Sequence, residues 1–349
     1  MKIERIILNE DRHVTLDAFL QTVSEEFHHI DKRPAVVVLP GGGYTMCSDR
    51  EADPVALAYA KVGYQAFVLR YTVGENAEWP RPLKDYEEAI TLIREKAEDW
   101  HIYSDRIAVI GFSAGGHLAA AAATMSESRP NAAILGYPVT EGETAKECLA
   151  SAPDLVSAVD NNTCPCFLFA TRTDNIVPVS NTVNFTRALT EAGIAFESHI
   201  YAYGPHGFSV CDPSVLDPGT QICSRAARWV EDSIAWLGDI FGEFGDRELN
   251  SPRCARKINE DKAPFLSVDC SMGRLMANAA ARAILAPMME AAKERMAEKY
   301  GDRMEIGNQT AGTAGLGMKM TLRSALVYGN TPDEIVKRLD SELRKIPNT

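Results

Sequence analysis

The feature that most constrains the fold is the alternation of short, apolar, β-branched runs with longer stretches of helical spacing. Continuous apolar runs are typical of parallel strands that are covered on both faces. Their alternation with helices predicts an α/β protein, with a doubly wound, mostly parallel sheet and helices on both faces. The predicted strands are Ala35–Leu39, Gln65–Leu69, Ile107–Ile110, Ala132–Leu135, Cys166–Ala170 and, nearer the sheet edge, Glu197–Tyr201.

Three helices are predicted among and after these strands. Leu83–Trp100 has apolar residues at steps of three and four, and Arg225–Ile240 carries a similar apolar stripe. Val179–Ala192 opens on a Ser-Asn start signal and is followed by Gly193, a residue that favours the end of a helix. The spacing therefore provides helices to cover the predicted sheet.

The alternation of strand and helix stops after about 245 residues. We therefore expect an α/β domain over residues 1–245, a polar linker over 246–262 and a small helical module over 263–349. In the module, Thr331 and Glu334 have the spacing of a capping box at the start of the last helix. A Gly/Thr-rich loop is predicted over residues 307–317.

Composition and charge exclude several classes of protein. Of 349 residues, 46% are hydrophobic and 24% charged, as in an ordinary globular protein, and no run is long enough to span a bilayer. The net charge of −12 disfavours nucleic acid and membrane surfaces as partners. The first residues lack the apolar run of an export signal, so the 8 cysteines are expected to be free thiols in the cytoplasm. No cysteine pair has the spacing of a zinc site, and we expect no metal.

A serine lies at the junction of a predicted strand and an alanine-rich helix, in Gly111-Phe112-Ser113-Ala114-Gly115. Glycine and serine often form ordinary turns at such junctions. However, Gly-x-Ser-x-Gly between a strand and a helix is also the form of a nucleophile elbow, which presents the hydroxyl above the sheet. A serine hydroxyl is a weak nucleophile without a base, so the second interpretation requires an acid and a base further along the chain.

Both partners follow in the order that this fold uses. Asp174 comes just after the predicted strand Cys166–Ala170, and His206 lies on a glycine-flanked loop after the last predicted strand. Because the carboxyl ends of parallel strands share one edge of a sheet, we expect Asp174, His206 and Ser113 to meet there. Singly, each residue fits an ordinary turn or surface position, and it is their agreement in order and context that favours catalysis.

The glycines in Pro40-Gly41-Gly42-Gly43-Tyr44 follow the first predicted strand. We expect the N–H groups of Gly42, Gly43 and Ala114 to form an oxyanion hole. A phosphate loop is the alternative, but no Gly-Lys-Ser/Thr follows the triplet. Nearby, Arg50 and Glu51 either hold this loop through a salt bridge or are simply solvated.

Five segments resemble the esterase/lipase-like α/β-hydrolases and, more narrowly, their bacterial acetyl-xylan and feruloyl esterase-like branch. These segments are Pro40–Tyr44, Ser48–Pro54, Phe67–Tyr71, Gly111–His117 and Pro205–Phe208. The resemblance implies an α/β-hydrolase catalytic domain that hydrolyses carboxylic esters without a cofactor, with acetylated xylo- or other oligosaccharides as substrates. Many relatives in the wider group carry histidine where this chain has Pro40.

Other assignments remain open between two interpretations. Tyr44 and Trp79 either form a platform for a sugar or acyl group or pack in the core, and His117 either points toward the site or packs its helix. The helical module could support homo-oligomers, cover the mouth of the site or only add stability. A peptidase on the same fold and a catalytically inert binding protein are the alternative functions.

Overall fold

The computed structural model describes residues 1–300 and 317–348, which form parts of two compact units, Met1–Arg256 and Lys257–Thr349. Each unit has a hydrophobic core of its own. The Gly/Thr-rich loop predicted over residues 307–317 lies, up to residue 316, outside the described residues.

Within the described residues, the first unit is built on one eight-stranded sheet of order β1-β2-β4-β3-β5-β6-β7-β8. Strands β3 to β8 run parallel, whereas β2 is antiparallel to both β1 and β4. The predicted doubly wound, mostly parallel sheet is therefore confirmed. The strands are β1 Lys2–Asn9, β2 Val14–Leu20, β3 Arg33–Leu39, β4 Gln65–Arg70, β5 Ile102–Phe112, β6 Ala132–Gly136, β7 Cys166–Thr171 and β8 Phe196–Tyr201.

The sheet is most buried at its centre and least buried at its edges. Every residue of β3 and β6 is buried, as expected for apolar runs covered on both faces. β8 forms one edge, as its more polar sequence predicted, and it is largely half-buried. Strands β1 and β2 were not predicted, because charged residues interrupt the apolar residues of both. β1 is partly exposed, whereas β2 is largely buried but carries Asp17 in its middle.

Helices cover both faces of the sheet. Helices α2, α3 and α5 pack on the face that alternate β3 residues Ala35, Val37 and Leu39 present, whereas α1 and α6 pack on the opposite face. A short α4 follows β6. The helices of this unit are α1 Asp53–Lys61, α2 Arg81–Glu95, α3 Ser113–Thr124, α4 Gly142–Cys148, α5 Ser180–Ala192 and α6 Trp229–Phe241.

The predicted helix ends are correct in part. Gly193 ends α5 with φ 72°, the left-handed conformation that glycine favours. At the other end of α5, the Ser-Asn start signal does not cap the helix, because the amide oxygen of Asn181 instead accepts hydrogen bonds from the N–H groups of Thr140 and Glu141.

The second unit is helical in its described part. Ser271 caps α7 by accepting a hydrogen bond from the N–H of Arg274, and Thr321 caps α9 in the same way. The predicted capping box is wrong, since the N-cap of α10 is Pro332 and no side chain caps the helix. None of the helices in residues 1–300 and 317–348 is both long and apolar enough to cross a bilayer. The helices here are α7 Met272–Ala277, α8 Ala279–Tyr300, α9 Leu322–Tyr328 and α10 Asp333–Leu343.

Candidate active site

Ser113 lies at a sharp turn where β5 becomes α3. Its φ of 54° falls in the left-handed region, which costs a non-glycine residue about 1–2 kcal/mol and is maintained here by the packed strand and helix. Glycines allow this close packing: a Cβ on Gly111 would overlap Gly115, and a Cβ on Gly115 would overlap the carbonyl oxygens of Leu39 and Pro40. The turn therefore holds the Ser113 side chain at the carboxyl edge of the sheet.

The structure brings Ser113, His206 and Asp174 together. The distance from Ser113 Oγ to His206 Nε2 is 2.8 Å, and the distance from His206 Nδ1 to Asp174 Oδ2 is also 2.8 Å. A carboxylate oxygen can only accept, so Nδ1 carries the proton and Nε2 is free to accept the Ser113 hydroxyl proton. This tautomer is the one that general-base catalysis requires.

The Asp174 carboxylate is held from two sides. Its Oδ1 accepts hydrogen bonds of 2.9 Å from the N–H groups of Ile176 and Val177, while its Oδ2 faces His206. The Asp174 side chain is only 1% exposed, whereas that of His206 is 15% exposed. The imidazole thus has a buried carboxylate behind it and keeps limited access to solvent.

The glycine loop after β3 turns through left-handed conformations. Gly42 has φ 129° and Gly43 has φ 61°, which fit glycine and strain other residues. Among the described residues, the N–H groups of Gly42, Gly43 and Ala114 have no hydrogen-bond acceptor. A Cβ on Gly43 would meet open space up to 4.0 Å, so this part of the loop is accessible. These three N–H groups are free to bind an oxyanion.

Two hydrogen bonds anchor this loop at Pro40 and Gly41. The Tyr71 hydroxyl donates a 2.6 Å hydrogen bond to the carbonyl of Pro40, and the Gly41 N–H donates a 2.9 Å hydrogen bond to Glu51 Oε2. Glu51 therefore holds the loop through a backbone hydrogen bond, not through the salt bridge with Arg50 that the sequence suggested. The alternative of a solvated Glu51 is also wrong, because this residue is 4% exposed.

The three predicted substrate-binding residues lie beneath or beside this loop. Tyr44 is 2% exposed and His117 is completely buried, and the Tyr44 hydroxyl lies 2.8 Å from His117 Nδ1. Burial lowers the pKa of His117 from 6.5 to about 4. Trp79 is half-buried and packs edge-on against His117, with ring centroids 5.5 Å apart. The burial of Tyr44 and His117 fits the packing interpretation of these two residues, whereas Trp79 is only half-buried.

Sequence reasoning missed two residues that connect the site, Tyr137 and Ser209. The Tyr137 hydroxyl donates to Glu51 Oε1 at 2.6 Å and accepts the Ser209 N–H at 3.0 Å. Its ring packs against the His206 ring, with centroids 4.9 Å apart. Tyr137 comes directly after β6, at the carboxyl end of a strand. The same position led to the prediction of Asp174, so this signal could have identified Tyr137 as well.

On a sheet of this order, an elbow serine whose acid and base follow in chain order defines the class: the protein is an α/β-hydrolase. Comparisons with known proteins narrow this class. A family model described as BD-FAE matches residues 26–131. The solved structure of MGS-M1, an α/β-hydrolase enzyme from a Medee basin deep-sea metagenome library, is 42% identical, with a TM-score of 0.63 over 69% of this chain and 98% of that chain. The chain belongs to the esterase-like branch of the α/β-hydrolase family.

Two further relatives carry more specific names. The acetyl ester-xyloside bifunctional hydrolase of Caldicellulosiruptor lactoaceticus is 30% identical, with a TM-score of 0.58 over 65% of this chain and 88% of that chain. The acetylxylan esterase of Xylanibacter ruminicola is 31% identical over 50% of this chain and 41% of its own length. The chain spans only 37% and 41% of the first two curated relatives that it matches.

Proposed function

We propose that this chain is a serine carboxylesterase that works through an acyl-enzyme. The observation that carries the proposal is the unbroken hydrogen-bonded chain from Asp174 through His206 to Ser113, with both links at 2.8 Å. Several relatives named as esterases support the same reaction class.

In the first half of the proposed reaction, Ser113 Oγ attacks the ester carbonyl carbon while its proton passes to His206 Nε2. Asp174 accepts the Nδ1 hydrogen bond and stabilises the imidazolium that forms. The carbonyl oxygen becomes an oxyanion bound by the N–H groups of Gly42, Gly43 and Ala114, where one such donor is worth about 3–4 kcal/mol of barrier. The intermediate then expels the alkoxide, which takes the proton from Nε2.

In the second half, water attacks the acyl group on Ser113. His206 Nε2 takes one proton from the water, and the same N–H groups bind the second oxyanion. Collapse of this intermediate returns the proton to Ser113 Oγ and releases a carboxylic acid. The side chains of this site supply every proton acceptor and donor that the two steps need.

For the substrate, we propose short acyl esters, of the acetyl type, on xylo- or other oligosaccharides. This proposal is supported by the names of two relatives, the acetylxylan esterase and the acetyl ester-xyloside hydrolase. We further propose that residues 263–349 are a separate appendage to the catalytic domain, since the chain divides into two compact units at residue 256. Limited proteolysis that cuts first near residue 256 would support this division.

The test is turnover of p-nitrophenyl acetate by the wild-type chain and by Ser113→Ala. We expect Ser113→Ala to lose at least about 10⁴-fold in kcat while keeping the wild-type thermal midpoint, because the nucleophile is removed without disturbing the fold. Equal turnover by both proteins would refute the assignment of Ser113.

The substrate class needs a separate measurement. Mass spectrometry of acetylated and feruloylated oligosaccharides should reveal the loss of acetyl groups from the acetylated ones. Cleavage of aminoacyl p-nitroanilides in place of esters would favour the peptidase alternative. A chain that turns over neither class would favour an inert binding protein.

A further inference from the structure

A buried carboxylate outside the Ser113–His206–Asp174 chain connects the two sides of the site. Glu51 belongs to a short helical turn, Asp49–Glu51, and is 4% exposed. Its Oε2 accepts the Gly41 N–H at 2.9 Å, and its Oε1 accepts the Tyr137 hydroxyl at 2.6 Å. Among the described residues, Glu51 has two hydrogen-bond donors and no ion pair. Burial of such a carboxylate costs free energy, which suggests that the residue has a task in the site.

The first contact, with the Gly41 N–H, acts on the glycine loop Pro40–Tyr44, which we call the oxyanion loop. Gly41 lies between the Glu51 carboxylate and the nucleophile, since a Cβ on Gly41 would be 2.6 Å from Glu51 Oε2 and 3.0 Å from Ser113 Cβ. The hydrogen bond to Glu51 therefore fixes the direction of the Gly41 N–H. The next two N–H groups, those of Gly42 and Gly43, remain without an acceptor among the described residues. Glu51 therefore occupies the Gly41 N–H, and the N–H groups of Gly42 and Gly43 are left to bind a substrate.

The second contact, with the Tyr137 hydroxyl, acts on the loop after β8 that carries His206, which we call the histidine loop. The Tyr137 hydroxyl accepts the Ser209 N–H, three residues after His206, and the Tyr137 ring packs against the imidazole. Ser209 Oγ also donates to the carbonyl of Arg50, beside Glu51. Both sides of the site are therefore joined to the same short turn.

The hydrogen-bond geometry matches that of an ionised Glu51. The Tyr137 hydroxyl donates to Glu51 Oε1 while its oxygen accepts from the Ser209 N–H, and the Gly41 N–H is necessarily a donor. Both carboxylate oxygens therefore accept, and such charge-assisted bonds are stronger than neutral ones. Burial raises the pKa of Glu51, and the hydrogen bonds from Tyr137 and Gly41 act in the opposite direction.

We propose that Glu51 is a positioning residue of this site, whose carboxylate fixes the oxyanion loop through Gly41 and the histidine loop through Tyr137. The proposal rests on the proposed function, because it assigns Glu51 a task in that reaction. The carboxylate does not touch the reacting atoms. It sets the distance between the amides that bind the oxyanion and the imidazole that moves the proton.

The test compares Glu51→Gln and Tyr137→Phe in two assays. A glutamine has the same shape, but its NH₂ group must face one of the two donors. Against the Gly41 N–H it places donor against donor, and against the Tyr137 hydroxyl it leaves the tyrosine proton without its acceptor. We expect kcat for p-nitrophenyl acetate, and the rate at which a fluorophosphonate labels Ser113, to fall about 10- to 100-fold in Glu51→Gln with little change in KM. Tyr137→Phe removes the hydroxyl that joins Glu51 to Ser209, and it should lower kcat and the labelling rate about 5- to 10-fold. The double variant should match Glu51→Gln alone, because the two residues act as a unit.

Asp17→Asn is the matched control. Asp17 is also 4% exposed and accepts two hydrogen bonds from Arg5, but it lies on β2, outside the network described above. It should lower the thermal midpoint while leaving kcat and the labelling rate unchanged. A purely structural role for Glu51 predicts the same pattern for Glu51→Gln, with activity falling only in step with the folded fraction.

The outcomes separate this proposal from the proposed function. Wild-type kcat and labelling rates in Glu51→Gln, or a pattern like that of Asp17→Asn, would overturn the role of Glu51. If Glu51→Gln does not fold, Tyr137→Phe decides alone, and a wild-type labelling rate in that variant overturns the proposal. A wild-type chain that labels at Ser113 but hydrolyses no ester refutes the ester assignment, and the labelling comparison still tests Glu51. Absence of labelling in the wild type refutes both.

Discussion

Two histidines lie on the elements around Ser113, and their surroundings differ in almost every respect. His206 lies on a loop, keeps 15% of its side chain exposed and has the Asp174 carboxylate 2.8 Å from Nδ1. His117 lies in the first turns of α3 and is completely buried, and its hydrogen-bond partners are neutral, the Tyr44 hydroxyl and the Pro153 carbonyl. A carboxylate behind the ring and partial exposure fit the general base that we propose for His206, whereas complete burial between neutral hydrogen-bond partners fits a packing role for His117.

The hydrogen bonds of His117 leave it no proton to exchange. The Pro153 carbonyl can only accept, so Nε2 carries the hydrogen, and Nδ1 accepts from the Tyr44 hydroxyl. Burial lowers the pKa of His117 to about 4, so the ring stays neutral near pH 7. Nearness to Ser113 in the chain is therefore a poor guide to function, and the groups around the ring decide it.

The sharpest test of this comparison removes each imidazole in turn. We expect His206→Ala to reduce kcat for p-nitrophenyl acetate by roughly 10⁶-fold, as loss of a general base does in a serine hydrolase. His117→Gln can keep one donor and one acceptor in place and should retain kcat within about 10-fold. Steady-state kinetics on both purified variants measure the two effects. Similar losses in both would mean that the contrast between the rings has no catalytic meaning.

The next largest effect comes from the group behind His206. Asp174→Asn should lower kcat by about 10⁴-fold, because an amide can donate to Nδ1 and so favours the wrong tautomer of the imidazole. The Ile176 and Val177 N–H groups still have an oxygen to bind, so the loop should keep its structure. The measurement is kcat together with the thermal midpoint. A loss under tenfold would indicate that Asp174 does not set the tautomer.

The sequence predicted best the central parallel strands, whose apolar runs are continuous. The runs in β3, β6 and β7 are continuous because both faces of a central parallel strand are covered, so composition alone reveals them. The same logic placed Ser113, Asp174 and His206 at strand ends on one edge. By contrast, β1 has only the short apolar run Ile6–Leu8 after charged residues, and Asp17 interrupts the apolar residues of the largely buried β2, so both strands were missed.

The interactions that sequence could not predict depend on contacts between distant segments. Glu51 and Tyr137 are 86 residues apart, and nothing in either segment alone indicates that they hydrogen-bond. The caps of α5 and α10 failed for a related reason, since tertiary contacts of Asn181 and the backbone at Pro332 replaced the local pattern. Burial of Tyr44 and His117 was likewise fixed by the packing of the oxyanion loop, not by residue type.

A smaller effect should appear in stability and not in turnover. The pKa of His117 falls from 6.5 to about 4 on folding, so the unfolded chain binds a proton that the folded chain does not. The wild type should therefore lose stability as the pH falls from about 6.5 to about 4, by roughly 3 kcal/mol in total, and this term is absent above pH 7. His117→Gln lacks the titrating ring. Urea unfolding at several pH values should show the wild type losing about 3 kcal/mol more than the variant, and parallel curves would contradict the pKa assignment.

The smallest effect concerns the Tyr44 hydroxyl, which hydrogen-bonds to His117. Tyr44→Phe leaves His117 Nδ1 as a buried acceptor without its donor, which should cost about 1–2 kcal/mol of stability. Tyr44 follows Gly43 directly, but its hydroxyl faces His117 and the loop keeps its bonds to Tyr71 and Glu51, so kcat should fall less than about 3-fold. Urea unfolding and steady-state kinetics on one preparation measure both quantities. A large loss of kcat at unchanged stability would show that the buried pair Tyr44–His117 takes part in catalysis. The contrast drawn above between a catalytic His206 and a packing His117 would then be wrong.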